Sequence, residues 1–240
     1  MPIQMFIDAQ TGNYTNELKT FLLIKLLYRN GKSKLISEEI SYLRWELKIS
    51  GKTINKHITF LKSLGWLVFN SKTEYYSIKA FDKLREENNW EVRLAFPISF
   101  TTYKDLKAVT GAVIYGYLHK DFWRKVKREK SVQIKESTYY FLSPKFNYKQ
   151  QPAPVSVNGV TDIFNISKAT ASRLKNKAFK SGFINLKKNY SKNYVNKKAM
   201  QEWCNYNEKK YNIVYAEGGY RLQFIDTVYP LFYFTKRKSL

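Results

Sequence analysis

Lys52, Asn55, Lys56 and Thr59 follow one another at one- to three-residue intervals inside ISGKTINKHITFLKSLGWLVFN, the stretch from Ile49 to Asn70. On a helix this spacing gathers two ammonium groups, a carboxamide and a hydroxyl on one face. The chemistry open to such a set is hydrogen bonding to base edges and neutralisation of phosphates. A second set recurs in ISKATASRLKNKAFKSGFINL, from Ile166 to Leu186, where Ala169, Thr170, Arg173, Asn176 and Lys177 are the base-edge candidates. Arg173 is the best suited to a guanine, because a guanidinium can meet its O6 and N7 together. Thr53, Lys72, Lys180, Lys187, Lys188 and Lys192 are assigned to phosphates, and Lys168 completes the set.

Catalysis is weighed against this and finds little support. Metal-dependent phosphodiester cleavage needs clustered carboxylates, yet the acidic pairs, Glu38-Glu39 and Glu86-Glu87, both sit in amphipathic helical contexts where solvation explains them. With only His57, His119 and the single cysteine Cys204, neither a Cys/His zinc site nor an internal disulfide can be built. Cys204 reads as a small buried hydrophobe and His57 as a structural residue on the core side of its helix. No Gly-rich phosphate loop of the Walker type occurs, so the expectation is a non-enzyme without cofactor or metal.

The balance of 42 Lys and Arg against 19 Asp and Glu gives a net charge of +23, which calls for a polyanionic partner. Between Ile163 and Gln201 ten residues are basic and none is acidic. No run of about 18 apolar residues could cross a bilayer, and MPIQMFIDAQ has neither the charged start nor the long apolar stretch of a secretory signal. A soluble protein of the cytoplasm, associated with the nucleoid and not with a membrane, is expected.

The elements that must position the two sets follow from periodicity. A helix is predicted from Glu17 to Asn30, closed by Gly31, and a second opens at Ser37-Glu38-Glu39 and runs to about Leu47. In the third, Ile54, Ile58 and Leu61 share an inward stripe while Lys52, Lys56, Thr59 and Ser63 lie opposite. Gly65 ends it, Trp66 to Phe69 is a strand, Asn70 to Thr73 a turn, and Glu74 to Ile78 the returning strand. Taken alone, charge on one face is what any solvated amphipathic helix shows. Ile166 onward aligns without a gap to Ile49 onward at an offset of 117, pairing Ser50 with Ser167, Thr53 with Thr170 and Gly65 with Gly182. Ala171, Leu174 and Ala178 again point inward, Arg173, Asn176, Lys177 and Lys180 outward, and Lys175 is left at the core edge, where it would have to snorkel.

Helix, helix, helix and hairpin is the order of a winged helix-turn-helix, and Glu17 to Lys79 resembles that superfamily along its length. SKATASRLKNKAFKSGFI is similar to the recognition helix of many bacterial winged-helix regulators. The resemblance implies a helix in the major groove with a wing on neighbouring phosphates. For the second copy it implies a preceding helix at Asn158 to Asn165 and a wing at Lys187 to Asn193. Around these, a helix is predicted from Thr101 or Thr102 to about Lys130. Its basic end, Trp123 to Arg128, is open to phosphate contact or to plain solvation. Strand is predicted from Ser137 to Phe146, a loop from Gln150 to Pro154, a helix from Ala199 to Lys210, and a hairpin about Gly218-Gly219 with a further strand from Val228 to Phe234.

The fold class expected is α+β, mostly helical, with two winged-helix domains in tandem, residues 1–95 and 96–240. Residues Phe232 to Phe234 are expected to complete the second core, with a dimer surface as the alternative. The function expected is sequence-specific binding of double-stranded DNA, as a transcriptional regulator. Paired winged helices without an effector domain also resemble plasmid and phage replication initiators, and an RNA-binding or structural interaction module is the alternative of another class. A second copy of the chain, or a protein of the replication or transcription machinery, is a further partner open to it.

Overall fold

The computed structural model describes residues 1–129, 131–134, 137–140, 151–207 and 212–236, an α+β chain with small antiparallel sheets. It divides into two compact units, Met1–Val113 together with Phe232–Leu240, and Ile114–Leu231. The expected boundary at 95/96 therefore moves into a helix, and the C-terminal aromatic run belongs with the first unit.

The first unit opens with a helix that periodicity did not announce, α1 (Ile3–Thr11). Ile3, Met5, Phe6, Ile7 and Ala9 are all buried, so the apolar side has no narrow stripe to betray it. Next comes α2 (Thr15–Leu27), beginning two residues before the expected Glu17 and stopping short of Asn30. Leu18 and the run Phe21 to Ile24 are buried, which makes α2 the central rod of this core. Strand β1 (Lys32–Ser33) and α3 (Ser37–Leu47) are tied by Glu39, whose Oε2 accepts from the Ile36 amide at 3.0 Å and the Ser33 hydroxyl at 3.1 Å. Lys48 takes a left-handed turn and α4 (Gly51–Ser63) follows. Gly65 turns the chain at φ +67 into β2 (Leu67–Asn70) and β3 (Tyr75–Ile78), which pair antiparallel with Leu67 opposite Ile78. The sheet order is β1-β3-β2. Two residues of β1 are too few to leave an alternating signature, which is why sequence reasoning passed over it. After α5 (Phe81–Glu87) and β4 (Leu94–Ala95), a 3₁₀ turn at Thr102–Asp105 leads into α6 (Leu106–Glu129), close to the extent predicted.

The second unit takes over within α6. Hairpin β5 (Ser131–Ile134) and β6 (Ser137–Tyr140) realises the first part of the expected strand, and 141–150 lie outside the described residues. Where a loop was expected, Ala153–Pro154 forms strand β7. Helices α7 (Val157–Phe164) and α8 (Lys168–Lys180) match the expectation, and β8 (Ile184–Lys187) follows Gly182 at φ +71. Then the chain departs from the prediction. Lys187 to Asn193 does not return as a hairpin. It leads to α9 (Lys197–Tyr206), strands β9 (Asn212–Ala216) and β10 (Gly219–Gln223), and only then β11 (Thr227–Pro230), the true partner of β8. The sheet order is β7-β11-β8. Helix α9 starts before the expected Ala199 and is described only to Tyr206, since 208–210 lie outside the described residues.

The β9-β10 turn falls on Glu217 and Gly218, both at positive φ, one residue before the expected Gly218-Gly219. That conformation at both central positions suits the twist of a two-residue hairpin. Gly219 serves a different need, because a Cβ there would collide with the ring of Tyr194. Beyond β11 the tail forms β12 (Thr235–Lys236), paired with β4, and Phe232 sits 4.9 Å from Phe96, centroid to centroid. The expectation that Phe232 to Phe234 complete the second core is corrected accordingly.

The two units share one internal plan. In each, a helix, a short strand, two helices and a strand precede the strand that fills the middle of the sheet. At an offset of 117 the agreement is residue by residue. Lys48 and Asn165 are left-handed, Ser50 and Ser167 are caps, both third helices have 13 residues, Gly65 and Gly182 are left-handed, and β2 coincides with β8. Apart from the β5-β6 hairpin, which the second unit carries between its first helix and its short strand, what differs is the link to the middle strand. It is the turn 71–74 in the first unit and the insertion 188–226 in the second.

Candidate nucleic-acid interface

Helix α4 starts where Ser50 accepts the Thr53 amide at 3.1 Å, filling one of the orphan donors of the first turn. Its hydroxyl also lies 2.9 Å from Thr53 Oγ1, so Thr53, expected at a phosphate, is engaged in the cap. Ile54, His57, Ile58 and Leu61 are buried against α2 and α3. Each aliphatic side chain so buried stabilises the seat by roughly 1.5–3 kcal/mol. The opposite face is open, and Lys52, Asn55, Lys56, Thr59, Phe60 and Ser63 line one shallow concavity along it. All four first-helix base-edge candidates are thus brought together, exposed, on a helix backed by the core.

His57 is held as a structural residue. Its Nδ1 is 2.7 Å from Thr20 Oγ1 and its Nε2 is 3.6 Å from Glu17. Burial pushes its pKa below the usual histidine value, partly opposed by the Glu17 carboxylate.

Beyond the helix, the hairpin turn is pinned by Asn70, whose Oδ1 accepts from the amides of Lys72 at 2.9 Å and Thr73 at 3.3 Å. Lys72 projects from this tip, exposed. Lys62, which sequence reasoning did not select, lies over the rings of Phe69 and Tyr76 at 5.8 and 5.9 Å. Its signal was its place three residues after Thr59. There it couples the end of the helix to the hairpin.

Helix α8 repeats the arrangement. Ser167 Oγ accepts the Thr170 amide at 3.2 Å, and its hydroxyl donates to Thr170 Oγ1 at 3.0 Å. Thr170, expected at a base edge, is therefore already engaged in the cap. Ala171, Leu174 and Ala178 are buried, and Tyr115 of α6 donates to the Ala171 carbonyl at 3.2 Å. Lys168, Ala169, Arg173, Asn176, Lys177 and Lys180 are exposed, as are Lys187, Lys188 and Lys192 in the strand and the connection after it.

Lys175 corrects the expectation of a snorkelling side chain. It is 7% exposed and forms an ion pair with Asp226, itself 6% exposed, while Gln223 Nε2 donates to the other oxygen of Asp226 at 3.2 Å. One of the ten basic residues between Ile163 and Gln201 is thereby neutralised inside the fold, and the others remain outward.

Among the described residues no three His, Cys, Asp or Glu side chains gather where they could hold a metal ion, and no helix is long and apolar enough to cross a membrane. The exposed donors of α4 and α8 are cationic, amide and hydroxyl groups. Set on helices, they can grip phosphates and meet base edges. Comparison with protein families, with curated proteins and with solved structures returned no match.

Proposed function

We propose that the chain is a sequence-specific binder of double-stranded DNA made of two winged-helix units, with α4 and α8 as its recognition helices. The observation that carries this reading is the repetition at an offset of 117. The same cap, helix length, left-handed glycine and strand recur, and each copy turns an apolar stripe inward and a cationic, amide-bearing stripe outward. A solvated surface helix has no need of the same frame twice, whereas two readers of one duplex do. Lys52, Asn55, Lys56 and Thr59 meet bases from the first unit, and Ala169, Arg173, Asn176 and Lys177 from the second. Lys72, Lys168, Lys180, Lys187, Lys188 and Lys192 hold phosphates.

In this reading the chain is a transcriptional regulator of the cytoplasm. Two unlike helices form an asymmetric pair, so the target need not be palindromic, and half-sites on one face of B-DNA lie about 10 bp apart or at a multiple of that. An initiator of replication would in addition distort an adjacent A·T-rich segment, which footprinting of flanking DNA distinguishes from simple occupancy.

The test begins with selection of bound duplexes from a random pool. On the selected site Arg173→Ala should lose about 1–3 kcal/mol and blur one base position, while Lys188→Ala should weaken specific and random duplexes alike. With about 8 phosphate contacts, the log-log slope of affinity against salt should be roughly −7. A near-flat slope, equal losses for both variants on both DNAs, or tighter binding to RNA than to duplex would each refute the reading.

A further inference from the structure

We propose that the β9-β10 hairpin of the second unit, with the start of α9, is a binding surface for unpaired nucleotides, with Tyr215 stacking on a base and Lys197 meeting its phosphate. The proposal rests on the duplex-binding reading for its location only. The insertion occupies the connection that in the first unit is the turn bearing Lys72, beside the recognition helix.

A wing that only touches phosphates needs no more than a short turn with one or two cations, and the first unit has such a turn. The described part of the insertion, 188–207 and 212–226, instead forms a helix and a hairpin and displays aromatic rings. Tyr215 is 70% exposed and pairs across the hairpin with Tyr220, whose ring lies 5.4 Å away and nearly perpendicular. The Lys197 ammonium stands 5.2 Å from the centre of the Tyr220 ring.

On the other face Tyr194, 58% exposed, has the Arg221 guanidinium 4.5 Å from its ring centre and donates to the Glu217 carbonyl at 2.6 Å. Arg221 also donates to the carbonyls of Ser191 and Lys192, at 2.6 and 2.8 Å, which fixes the segment 189–195 along β10. At its base the hairpin is anchored by the buried Lys175–Asp226 pair, with Gln223 bonded to it. On a hairpin fixed in this way, Tyr215 offers an open π-face to a base.

The occupant follows from the chemistry. A base inside a duplex has no free face, so exposed tyrosines gain nothing from closed DNA, whereas an unstacked base presents one. Tyr215 packs on Tyr220, over whose ring the exposed Lys197 ammonium stands, whereas the Arg221 beside Tyr194 is paired with Glu217 at 3.4 Å; an open ammonium next to exposed rings suits a nucleotide with its phosphate better than an apolar protein surface.

The test is a fluorescence titration of the full chain with a labelled oligothymidine of about 20 nucleotides, long enough for such a site and unable to pair with itself. A duplex of the selected sequence is titrated alongside. Wild type should bind both. Tyr215→Ala should weaken oligothymidine binding about 5- to 100-fold and leave duplex affinity in place, Tyr215→Phe should retain it, and Lys197→Ala should reduce both its affinity and its salt dependence.

The proposal is overturned if wild type does not bind oligothymidine, if Tyr215→Ala and Lys197→Ala bind it as wild type does, or if Tyr215→Ala loses the two DNA forms equally. Tyr215 is solvent-exposed, and an unchanged circular dichroism spectrum of the variant guards against unfolding. Duplex binding without oligothymidine binding sinks this inference alone. Oligothymidine binding without duplex binding sinks the duplex reading alone.

Discussion

Replacing Lys175 by Met should destabilise the second unit by about 3–5 kcal/mol, whereas replacing Lys175 and Asp226 together should not. The side chains are 9% and 6% exposed, so neither charge has water to fall back on. In Lys175→Met the Asp226 carboxylate keeps only the Gln223 amide at 3.2 Å, and in Asp226→Leu the ammonium is left buried without its counter-charge. Each single change therefore leaves one ion uncompensated in a low-dielectric site.

The double change Lys175→Met/Asp226→Leu removes both desolvation costs and substitutes apolar contact. The repeat indicates that the site tolerates this, because position 175 corresponds to Ile58, which is 7% exposed in the first unit. The double variant should be equal to wild type or more stable by up to about 4 kcal/mol. Urea unfolding followed by hydrogen exchange of peptides covering 171–187 and 227–231 reads this unit separately from the other. With a slope of about 2 kcal/mol per M, each single change should lower its midpoint by about 2 M. Single variants within about 0.5 kcal/mol of wild type, or a double variant that loses the sum of the two, would refute the reasoning.

Two further outcomes are expected. Ser167→Ala should cost about 1 kcal/mol through loss of the bond to the Thr170 amide, with Ser50→Ala losing a similar amount in the first unit, both measured by urea unfolding. A loss only in a variant's DNA affinity, with stability unchanged, would show that these serines are contact residues and not caps. Burial lowers the pKa of His57 below its ordinary 6.5, so the unfolded chain binds protons at a higher pH than the native one. The stability this confers is complete above about pH 6.5 and is lost as pH falls toward the lowered value. Thermal midpoints of wild type should therefore fall more steeply from pH 7.5 to pH 5 than those of His57→Gln, and parallel curves would contradict it.

Helices α4 and α8 were legible because each carries every local signal at once. A serine cap, an apolar stripe (i, i+4 and i+7 in the first, i, i+3 and i+7 in the second) and a glycine past the end all agree, and each acts within a few residues. Strands β1 and β7 were not legible, since each is only two residues long, and β11, expected from Val228, was legible as a strand but not in its pairing, because its partner lies across the insertion 188–226. The same limit explains Phe232, whose aromatic neighbours in sequence say that it packs but not against what. Lys175 was seen as misplaced on an apolar stripe, but the carboxylate that resolves it lies at 226, beyond any local pattern. Among the candidate site residues, the exposed cations follow directly from helical phase. The engagement of Thr170 with its own cap and the seat of Lys62 over two hairpin rings depend on rotamers that spacing does not encode.

Because the frames coincide, Lys52, Asn55, Lys56 and Thr59 occupy the places of Ala169, Ser172, Arg173 and Asn176. All of these lie outside the buried stripes, so trading those four positions would exchange the outer faces of the two helices while leaving both interiors intact. Whole helices could not be traded in this way, since the underside of one is keyed to Thr20 and Glu17 through His57 and that of the other to Asp226 through Lys175.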